Sequence, residues 1–246
     1  MNLPKLKNHP FSVNALFKKS IVLTFAFPQE QIKSLIPECL TLDTFDNKWA
    51  FIAVAMVETE HLRPKAFPKL LGNNFFLIGY RVFVRYTNAK GKNLRGLYIL
   101  KSETNKRKMA FFGNIFTHYN YTSTDIKVTK NSLETIISSA KSRFSLSYLN
   151  RKNNIQLPET SPFKNWKEAR RFAGPLPFTF TYNSVKKEVL IIEGVRNNWK
   201  PSPIKIQNFK FKYLDELDFK HPQLANAFIV ENIPYTWKKG KLELWK

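Results

Sequence analysis

The stretch from Phe75 to Tyr121, FFLIGYRVFVRYTNAKGKNLRGLYILKSETNKRKMAFFGNIFTHYNY, decides the fold class. Its first part alternates with a period of two and has apolar residues on both faces, as a strand covered on both sides does. A polar turn at 88–93 leads to a second strand at 94–103, and another polar turn at 105–108 leads to a third strand at 109–116. The stretch therefore predicts an antiparallel meander inside a sandwich, a closed barrel or a helix-capped sheet.

The other elements are predicted from periodicity and turn residues. They are a strand at 21–27, a helix at 28–36, a hairpin of 40–45 with 49–58, a loop at 59–73, a helix at 164–172, strands at 178–182, 188–195 and 204–213 with a bulge near Asn208, a helical turn at 221–228, and a hairpin over 228–245. Residues 132–148 are ambiguous between helix and strand. We predict one domain over 1–246, with 150–163 as a loop excursion within it.

The net charge of +22 raises the possibility of a nucleic-acid or anionic-surface partner. The basic residues are scattered in ones and twos from Lys5 to Lys246, and lysine outnumbers arginine. No helix-turn-helix, zinc-finger or RNA-binding motif occurs. We therefore expect no specific nucleic-acid partner, and keep binding through the basic exterior as a second alternative function.

Several classes of chemistry lack their sequence signature. The single cysteine, Cys39, excludes an intramolecular disulfide and a multi-cysteine metal site, and an inert buried thiol is the expectation. The histidines His9, His61, His118 and His221 are far apart, and no phosphate loop or hydrolase motif is present. We expect neither metal nor cofactor. The apolar run at 21–27 is too short for a membrane span and makes a poor signal peptide, so a cytoplasmic, soluble protein is the expectation.

Six short motifs resemble those of the YqjF-like proteins, the family of domain of unknown function 2071 (DUF2071). They are PQEQIKSLIP at 28–37, LDTFD at 42–46 before the strand of Trp49, YRVFV at 80–84, EARRFAGPLPF at 168–178, RNNW at 196–199 and LANAF at 224–228. The resemblance covers nearly the whole chain. It implies the α+β fold of acetoacetate decarboxylase, a mostly antiparallel, closed, cone-shaped sheet with a few short peripheral helices around a cavity of small-molecule size. It implies no established activity.

The chain departs from this pattern where catalysis would occur. Many members of the family have Glu and then Asn-Val-Arg where this chain has Leu77 and then Gly79-Tyr80-Arg81. In acetoacetate decarboxylases a Lys-Lys pair supplies the Schiff base, and the resemblance places residues 118–121, His-Tyr-Asn-Tyr, at that point. Asparagine and tyrosine cannot form an imine, so we predict that the chain is no acetoacetate decarboxylase.

Arg81 is the strongest candidate binding residue because it is a fixed cation on an otherwise apolar strand face. Its guanidinium suits a carboxylate or phosphate. An ion pair with Glu103 or Glu58, or extension of the side chain to the rim, is the structural alternative.

The other candidates are Glu103, His118, Tyr119 and Tyr121. A lone histidine is more often simply hydrogen-bonded, and Tyr119, Tyr121 and Trp199 also fit a packed core. Arg170 and Arg171 fit the C-terminal end of a helix.

We assign no catalytic residue and favour a non-enzymatic or weakly catalytic binder of a small organic anion. The first alternative is an enzyme, a lyase, isomerase or hydrolase of a small keto or carboxylic acid, that uses Glu103, His118 or Tyr119.

Overall fold

A computed structural model describes residues 6–150, 155–174, 176–219 and 222–245. Within these ranges the strands are β1 (Val13–Pro28), β2 (Thr41–Leu42), β3 (Trp49–Pro64), β4 (Asn73–Thr87), β5 (Asn93–Thr104), β6 (Tyr121–Ser123), β7 (Lys127–Lys130), β8 (Glu134–Ser139), β9 (Phe144–Leu149), β10 (Phe178–Asn183), β11 (Glu188–Arg196), β12 (Ser202–Pro203), β13 (Ile206–Phe211), β14 (Gln223–Trp237) and β15 (Lys241–Leu244). The helices are α1 (Gln29–Ile32), α2 (Arg107–Phe116), α3 (Trp166–Phe172) and α4 (Lys212–Asp215), with 3-10 turns at Lys33–Leu35 and Lys69–Leu71.

The main sheet closes on itself. Its strands pair in the order β14-β1-β3-β4-β5-β10-β11, and β11 pairs again with β14 through Gly194, Val195 and Arg196. Every pairing in this ring is antiparallel except that of β5 with β10. The predicted fold class, a mostly antiparallel closed sheet with a few short helices, is confirmed.

The outer face of the ring carries the larger apolar core. Ile21, Val54, Ile78 and Tyr80 belong to it, and α1 contributes Ile32. A second, four-stranded sheet of order β13-β9-β8-β7 contributes further apolar residues to the same core, including Leu146. Because strands of the ring are apolar on both faces, this cover is what their double-sided pattern requires.

The inner face of the ring carries the odd-numbered residues of β3 and β4. In antiparallel ladders, paired residues point to the same side of the sheet. Ala53 pairs with Arg81 of β4, and Thr24 of β1 pairs with both Ala53 and Asn226 of β14. These four positions therefore form one row across the inner face.

The ambiguous stretch 132–148 is a hairpin of β8 with β9, which pair from Glu134–Leu149 to Ser139–Phe144. The bulge predicted near Asn208 is confirmed, because the pairing of β13 with β9 shifts between Ile206 and Asn208. The turn between β4 and β5 is also as predicted: Gly91 has a φ of 73° and donates its N–H to the carbonyl of Asn88 at 2.8 Å.

The predicted strand at 109–116 is wrong, because these residues belong to helix α2. Strand β6 runs parallel to β5 rather than antiparallel. A parallel neighbour needs a crossover connection, which α2 provides, whereas an antiparallel meander needs only a turn. The aromatic pair Phe111 and Phe112 favoured a strand, yet both are exposed on the helix.

The hairpin predicted for 40–45 and 49–58 is wrong in its pairing. Strand β2 pairs with β4, and only one bridge, Phe45 to Trp49, joins the two predicted arms. The loop predicted at 59–73 begins later, because β3 continues to Pro64.

Two predictions near the C-terminus are also wrong. Described residues of the predicted helical turn at 221–228 lie in β14 from Gln223 onward. Strands β14 and β15 do not form a hairpin with each other, because both pair with β11 at different points along it. His221 and residues 151–154 of the predicted excursion lie outside the described ranges. No helix within those ranges is long and apolar enough to cross a membrane.

Candidate functional site

Arg81 lies on the inner face, in the middle of β4. Its side chain runs back over Gly79, where an added Cβ would lie 3.1 Å from the Arg81 Nε atom. Gly79 thus leaves the space that the guanidinium occupies. Burial lowers the pKa of Arg81, yet the residue keeps part of its surface accessible. Both properties fit a charged group that lines a concave interior.

Three tyrosines lie within electrostatic range of the Arg81 guanidinium: Tyr235, Tyr121 and Tyr119. Tyr235 lies on β14, three strands from β4 along the ring, so these groups meet across the interior. Burial raises the pKa of all three hydroxyls, that of Tyr121 to about 12. The hydroxyls therefore keep their protons at neutral pH and can donate hydrogen bonds to an anion.

A second guanidinium, Arg196 of β11, joins this group. Its Nη1 donates to the Tyr235 hydroxyl at 3.2 Å, and its charge also faces that of Arg81. Burial is the main cause that lowers the pKa of Arg196, and the Arg81 charge lowers it further. The ring of Trp199 covers Arg196, with 4.9 Å from Cζ to the ring centre. Two like charges thus share the interior.

No carboxylate within the described residues pairs with either guanidinium. The ion pairs among the described residues lie elsewhere, and the tyrosines beside Arg81 carry no charge at neutral pH. Because a buried cation without a counter-ion is costly, this arrangement favours an anion from outside the chain. We refer to Arg81, Arg196, Tyr119, Tyr121 and Tyr235 as the arginine–tyrosine cluster.

Further polar atoms on the inner face and beside Arg196 lack partners. The Oγ1 of Thr24 and the Oδ1 of Asn226 are buried on the inner face, in the row that includes Arg81, and have no hydrogen bond to the described residues. The Nε1 of Trp199 is likewise unpartnered. Buried polar atoms normally find partners, so these three mark a place where a ligand could be recognised.

The end of the ring nearest α3 is filled by aromatic rings. Phe51 lies 5.7 Å from Phe83, 5.6 Å from Phe163 and 5.2 Å from Phe172, measured between ring centres. Asn165 caps α3 by accepting the N–H of Glu168 at 3.0 Å, which holds this apolar plug in place. The interior is therefore lined by aromatic rings at this end, and the Arg81 and Arg196 guanidiniums line another part of it.

Glu103 does not belong to the arginine–tyrosine cluster. It pairs with Ile78, a residue of the outer core, and its Oε1 lies 3.3 Å from the Lys101 ammonium. The predicted alternative that Glu103 or Glu58 forms an ion pair with Arg81 is therefore wrong. Glu58 is exposed and pairs with Phe76 on the outer face.

His118 and Tyr119 are neighbours in sequence but have different partners. The His118 Nε2 lies 3.4 Å from the Asn8 side-chain oxygen, and burial together with the Lys7 charge lowers the pKa of His118. The Tyr119 hydroxyl shares a hydrogen bond of 2.8 Å with Thr179. Glu103, His118 and Tyr119 therefore form no common site, and the structure brings together only Arg81, Tyr119 and Tyr121 of the predicted candidates.

The remaining residues considered in the sequence have ordinary environments. Arg170 and Arg171 are exposed in the last turn of α3. The Cys39 thiol is buried, and its desolvation raises its pKa to about 11, as an inert thiol requires. No group of three or more His, Cys, Asp or Glu side chains in the described ranges could hold a metal ion.

Arg196 and Tyr235 were not predicted as members of the cluster. Both lie where β11 closes onto β14, with Arg196 paired to Tyr235. Ring closure joins positions far apart in sequence, and no local pattern reveals it. Nor was a charged site predicted at the buried carboxylate of Asp43, whose oxygens lie 2.6 Å from the Nε atoms of Arg85 and Arg95. A signal for that site is that Arg85 and Arg95 lie on either side of the predicted turn at 88–93, where two like charges on neighbouring strands need a counter-ion.

Comparison with known proteins gives a family and a fold. The profile of DUF2071, described as an uncharacterized conserved protein (COG2071), matches residues 15–233. A search of the curated proteins found no match.

Three similar solved structures illustrate the fold. Acetoacetate decarboxylase from Legionella pneumophila subsp. pneumophila str. Philadelphia 1 has a TM-score of 0.63 and 10% identity, over 95% of this chain and 88% of that one. The enduracididine biosynthesis enzyme MppR complexed with pyruvate has a TM-score of 0.55 and 9% identity, over 95% and 90%. An acetoacetate decarboxylase-like enzyme from Sphingomonas wittichii RW1 has a TM-score of 0.56 and 9% identity, over 96% and 93%.

Proposed function

Because the chain belongs to the DUF2071 family and has the fold of acetoacetate decarboxylase, we propose that it binds a small organic anion inside the closed sheet. The observation that carries this proposal is the Arg81 guanidinium, which lies in the interior without a carboxylate partner in the described part of the chain. Its neighbours are tyrosine hydroxyls, which stay protonated at neutral pH and can donate hydrogen bonds to an anion. Arg81 is the anchor of the ligand in this account.

The surroundings of Arg81 favour a carboxylate with an apolar body. A carboxylate offers two oxygens to a guanidinium in one plane, and the tyrosine hydroxyls can donate to the remaining lone pairs. The aromatic rings around Phe51 suit an aliphatic or aromatic group of the ligand. Thr24 and Asn226 could bind a further polar substituent such as a keto or hydroxyl group. Keto acids, fatty acids and aromatic carboxylates are therefore the first ligands to test.

We expect at least one such carboxylate to stabilise the wild-type protein. At 100 times its dissociation constant a ligand adds about 2.7 kcal/mol to the free energy of unfolding, which corresponds to a rise in melting temperature of roughly 5–10 °C for a chain of this size. The measurement is a thermal-shift screen with pyruvate, longer keto acids, and aliphatic and aromatic carboxylates.

The control for this screen is a variant with the same change on the surface. Arg81→Ala should lose the shift, whereas Arg107→Ala, at an exposed position on α2, should keep it. If no carboxylate raises the melting temperature, or if Arg81→Ala keeps the full shift, the proposal fails.

A separate prediction concerns imine chemistry, which requires a neutral amine beside the carbonyl carbon. Among the described residues around the cluster none supplies such an amine: Asn120 is exposed, Tyr121 is a buried phenol, and Lys101 is directed at Glu103 and at the ring of Tyr213, 5.0 Å away. Lys127 is exposed on β7.

We therefore expect no carbon dioxide from acetoacetate and no adduct after borohydride treatment, as read by intact mass. Acetoacetate decarboxylase in the same assay is the positive control. A stoichiometric adduct that maps to one lysine would establish an enzyme with Schiff-base chemistry in place of a simple binder.

A further inference from the structure

A groove of about 480 Å³ lies outside the ring, between the main sheet and the small sheet. Its residues come from the outer face of β5, from Thr122 and Ser123 of β6, from the turn between β8 and β9, and from α4 and the residue after it, and none of them belongs to the arginine–tyrosine cluster. The residues that matter below are Lys101, Glu103, Lys141, Ser142, Arg143 and Lys212. A second groove of about 590 Å³ adjoins it and shares Arg143 and Lys212. Cavities of this size accommodate small molecules.

Glu103 supplies an unused acceptor in this groove. Its side chain is buried, and one oxygen, Oε1, accepts the Ser142 hydroxyl at 2.6 Å and lies near the Lys101 ammonium. The other oxygen, Oε2, is buried without a hydrogen-bond partner among the described residues. A carboxylate can accept about four hydrogen bonds, so Oε2 can take a donor from a ligand.

A chain of hydroxyls fixes the orientation of Glu103. Ser142 Oγ lies 2.6 Å from Thr124 Oγ1, which lies 2.8 Å from Ser139 Oγ, and Ser139 donates to Asp125 Oδ1 at 2.5 Å. The hydrogen bond from Ser139 is the largest cause that lowers the pKa of Asp125, to about 2. The two serines thus each donate to a carboxylate, and Glu103 is held rigidly with Oε2 free.

The charges of the groove favour an anion. Four cationic side chains, of Lys101, Lys141, Arg143 and Lys212, line it with two carboxylates, of Glu103 and Glu216. Lys101 pairs with Glu103 at 3.3 Å and Lys212 with Glu216 at 3.2 Å. Lys141 donates to the Ser123 carbonyl, and the Arg143 side chain has no ion pair in the described part of the chain. Lys141 and Arg143 therefore form no ion pair in the described part of the chain, although two further carboxylates lie nearby: Asp125, which accepts the Lys141 backbone N–H at 3.0 Å, and Asp215 of the adjoining groove.

We propose that this groove binds a phosphorylated polyol, such as a sugar phosphate. A phosphate dianion matches the two cations that form no ion pair, Lys141 and Arg143. A hydroxyl of the polyol donates to Glu103 Oε2. An ammonium is a poorer match at that oxygen because Lys101 already neutralises the Glu103 charge. The ligand class thus follows from the charge count and from one unpartnered acceptor.

The backbone at Arg143 agrees with such a role. Arg143 has a φ of 49°, at the end of the turn between β8 and β9, where glycine or asparagine is favoured. A side chain that must reach the groove from this turn explains why arginine occupies the position despite the conformational cost. Replacement by asparagine should therefore raise the melting temperature while it removes a phosphate contact.

Isothermal titration with ribose 5-phosphate, ribose and inorganic phosphate tests the proposal. We expect the wild-type protein to bind ribose 5-phosphate at least tenfold more tightly than inorganic phosphate, and ribose alone not measurably. Arg143→Asn should weaken ribose 5-phosphate by at least tenfold. Glu103→Gln should reduce the preference for ribose 5-phosphate over inorganic phosphate to about twofold. Arg107→Gln, on the exposed face of α2, should change neither.

Two further experiments show whether the phosphorylated polyol belongs to a lipid and whether it binds in the outer groove. Vesicles that contain a phosphorylated inositol lipid, with phosphatidylcholine vesicles as control, show whether the polyol is a lipid headgroup; binding that Arg143→Asn abolishes supports the same chemistry. Arg81→Met, inside the ring, should leave binding unchanged, so this test is independent of the proposed carboxylate site. Equal affinity for ribose 5-phosphate and inorganic phosphate, no effect of Arg143→Asn, or loss of binding in Arg81→Met would each overturn the proposal.

Discussion

Replacement of Asp43 by alanine should destabilise the protein by roughly 3–5 kcal/mol, the usual cost of removing one partner of a buried charge network. For a chain of this size the melting temperature should fall by about 6–20 °C. The Asp43 carboxylate is fully buried and holds the Nε atoms of Arg85 and Arg95, both at 2.6 Å. Those two arginines lie directly opposite each other on β4 and β5. Without Asp43 they would repel each other.

The measurement for Asp43 is thermal or urea unfolding, with an exposed ion pair as control. Glu193 contacts Lys238 at 2.9 Å, and its side chain is 38% exposed. Because exposed pairs contribute about 0–1 kcal/mol, Glu193→Ala should change the melting temperature by no more than a few degrees. If Asp43→Ala changed it equally little, the three-residue network would have no structural role at this end of the ring.

Replacement of Arg81 by methionine should have two effects of opposite sign. The unliganded protein should become more stable by roughly 1–3 kcal/mol, because methionine fills a similar volume without a buried, unpaired charge. Burial lowers the pKa of Arg81, which means that the fold disfavours its charge. The same variant should lose the stabilisation by carboxylates. A residue that lowers the stability of the unliganded protein but is needed for ligand binding is typical of a functional site.

The matched control is Arg107→Met, which should affect neither the unliganded stability nor the response to carboxylates. Differential scanning calorimetry with and without the best carboxylate measures both quantities for each variant. A fall in melting temperature of Arg81→Met comparable to that of Asp43→Ala would show that Arg81 is a structural residue, held by interactions that its tyrosine neighbours supply.

Much of the fold could be predicted from local patterns. The two-sided apolar strand 75–86 and the turn around Gly91 fixed the central hairpin, and Pro28 opened the first short helix. The pairings that close the ring could not be predicted, because β11 and β14 are joined by contacts between residues about forty positions apart. Helix α2 was missed because its aromatic residues have strand propensity, while the parallel direction of β6 imposed a helix.

Part of the candidate site could also be predicted from the sequence. Arg81 stood out as a cation among apolar residues, and Tyr119 and Tyr121 were candidates because the resemblance places residues 118–121 at the Schiff-base position. Glu103 lies opposite Ile78 because the pairing of β4 with β5 contains a bulge between Tyr80 and Arg81; an unbroken pairing from Arg81 and Ile99 would set it opposite Leu77, on the face of Arg81. Since successive side chains point to opposite faces, such a bulge decides which side of the sheet each residue of β5 occupies.

The most direct test of the carboxylate site is a crystal structure of the protein with the carboxylate that gives the largest thermal shift. The account predicts that the carboxylate lies inside the closed sheet, with its oxygens about 2.7–3.0 Å from the Arg81 guanidinium and within reach of the Tyr121 and Tyr235 hydroxyls. Its apolar part should face Phe51. A carboxylate found only in the outer groove beside Glu103 and Arg143, with the interior around Arg81 filled by protein side chains, would contradict it.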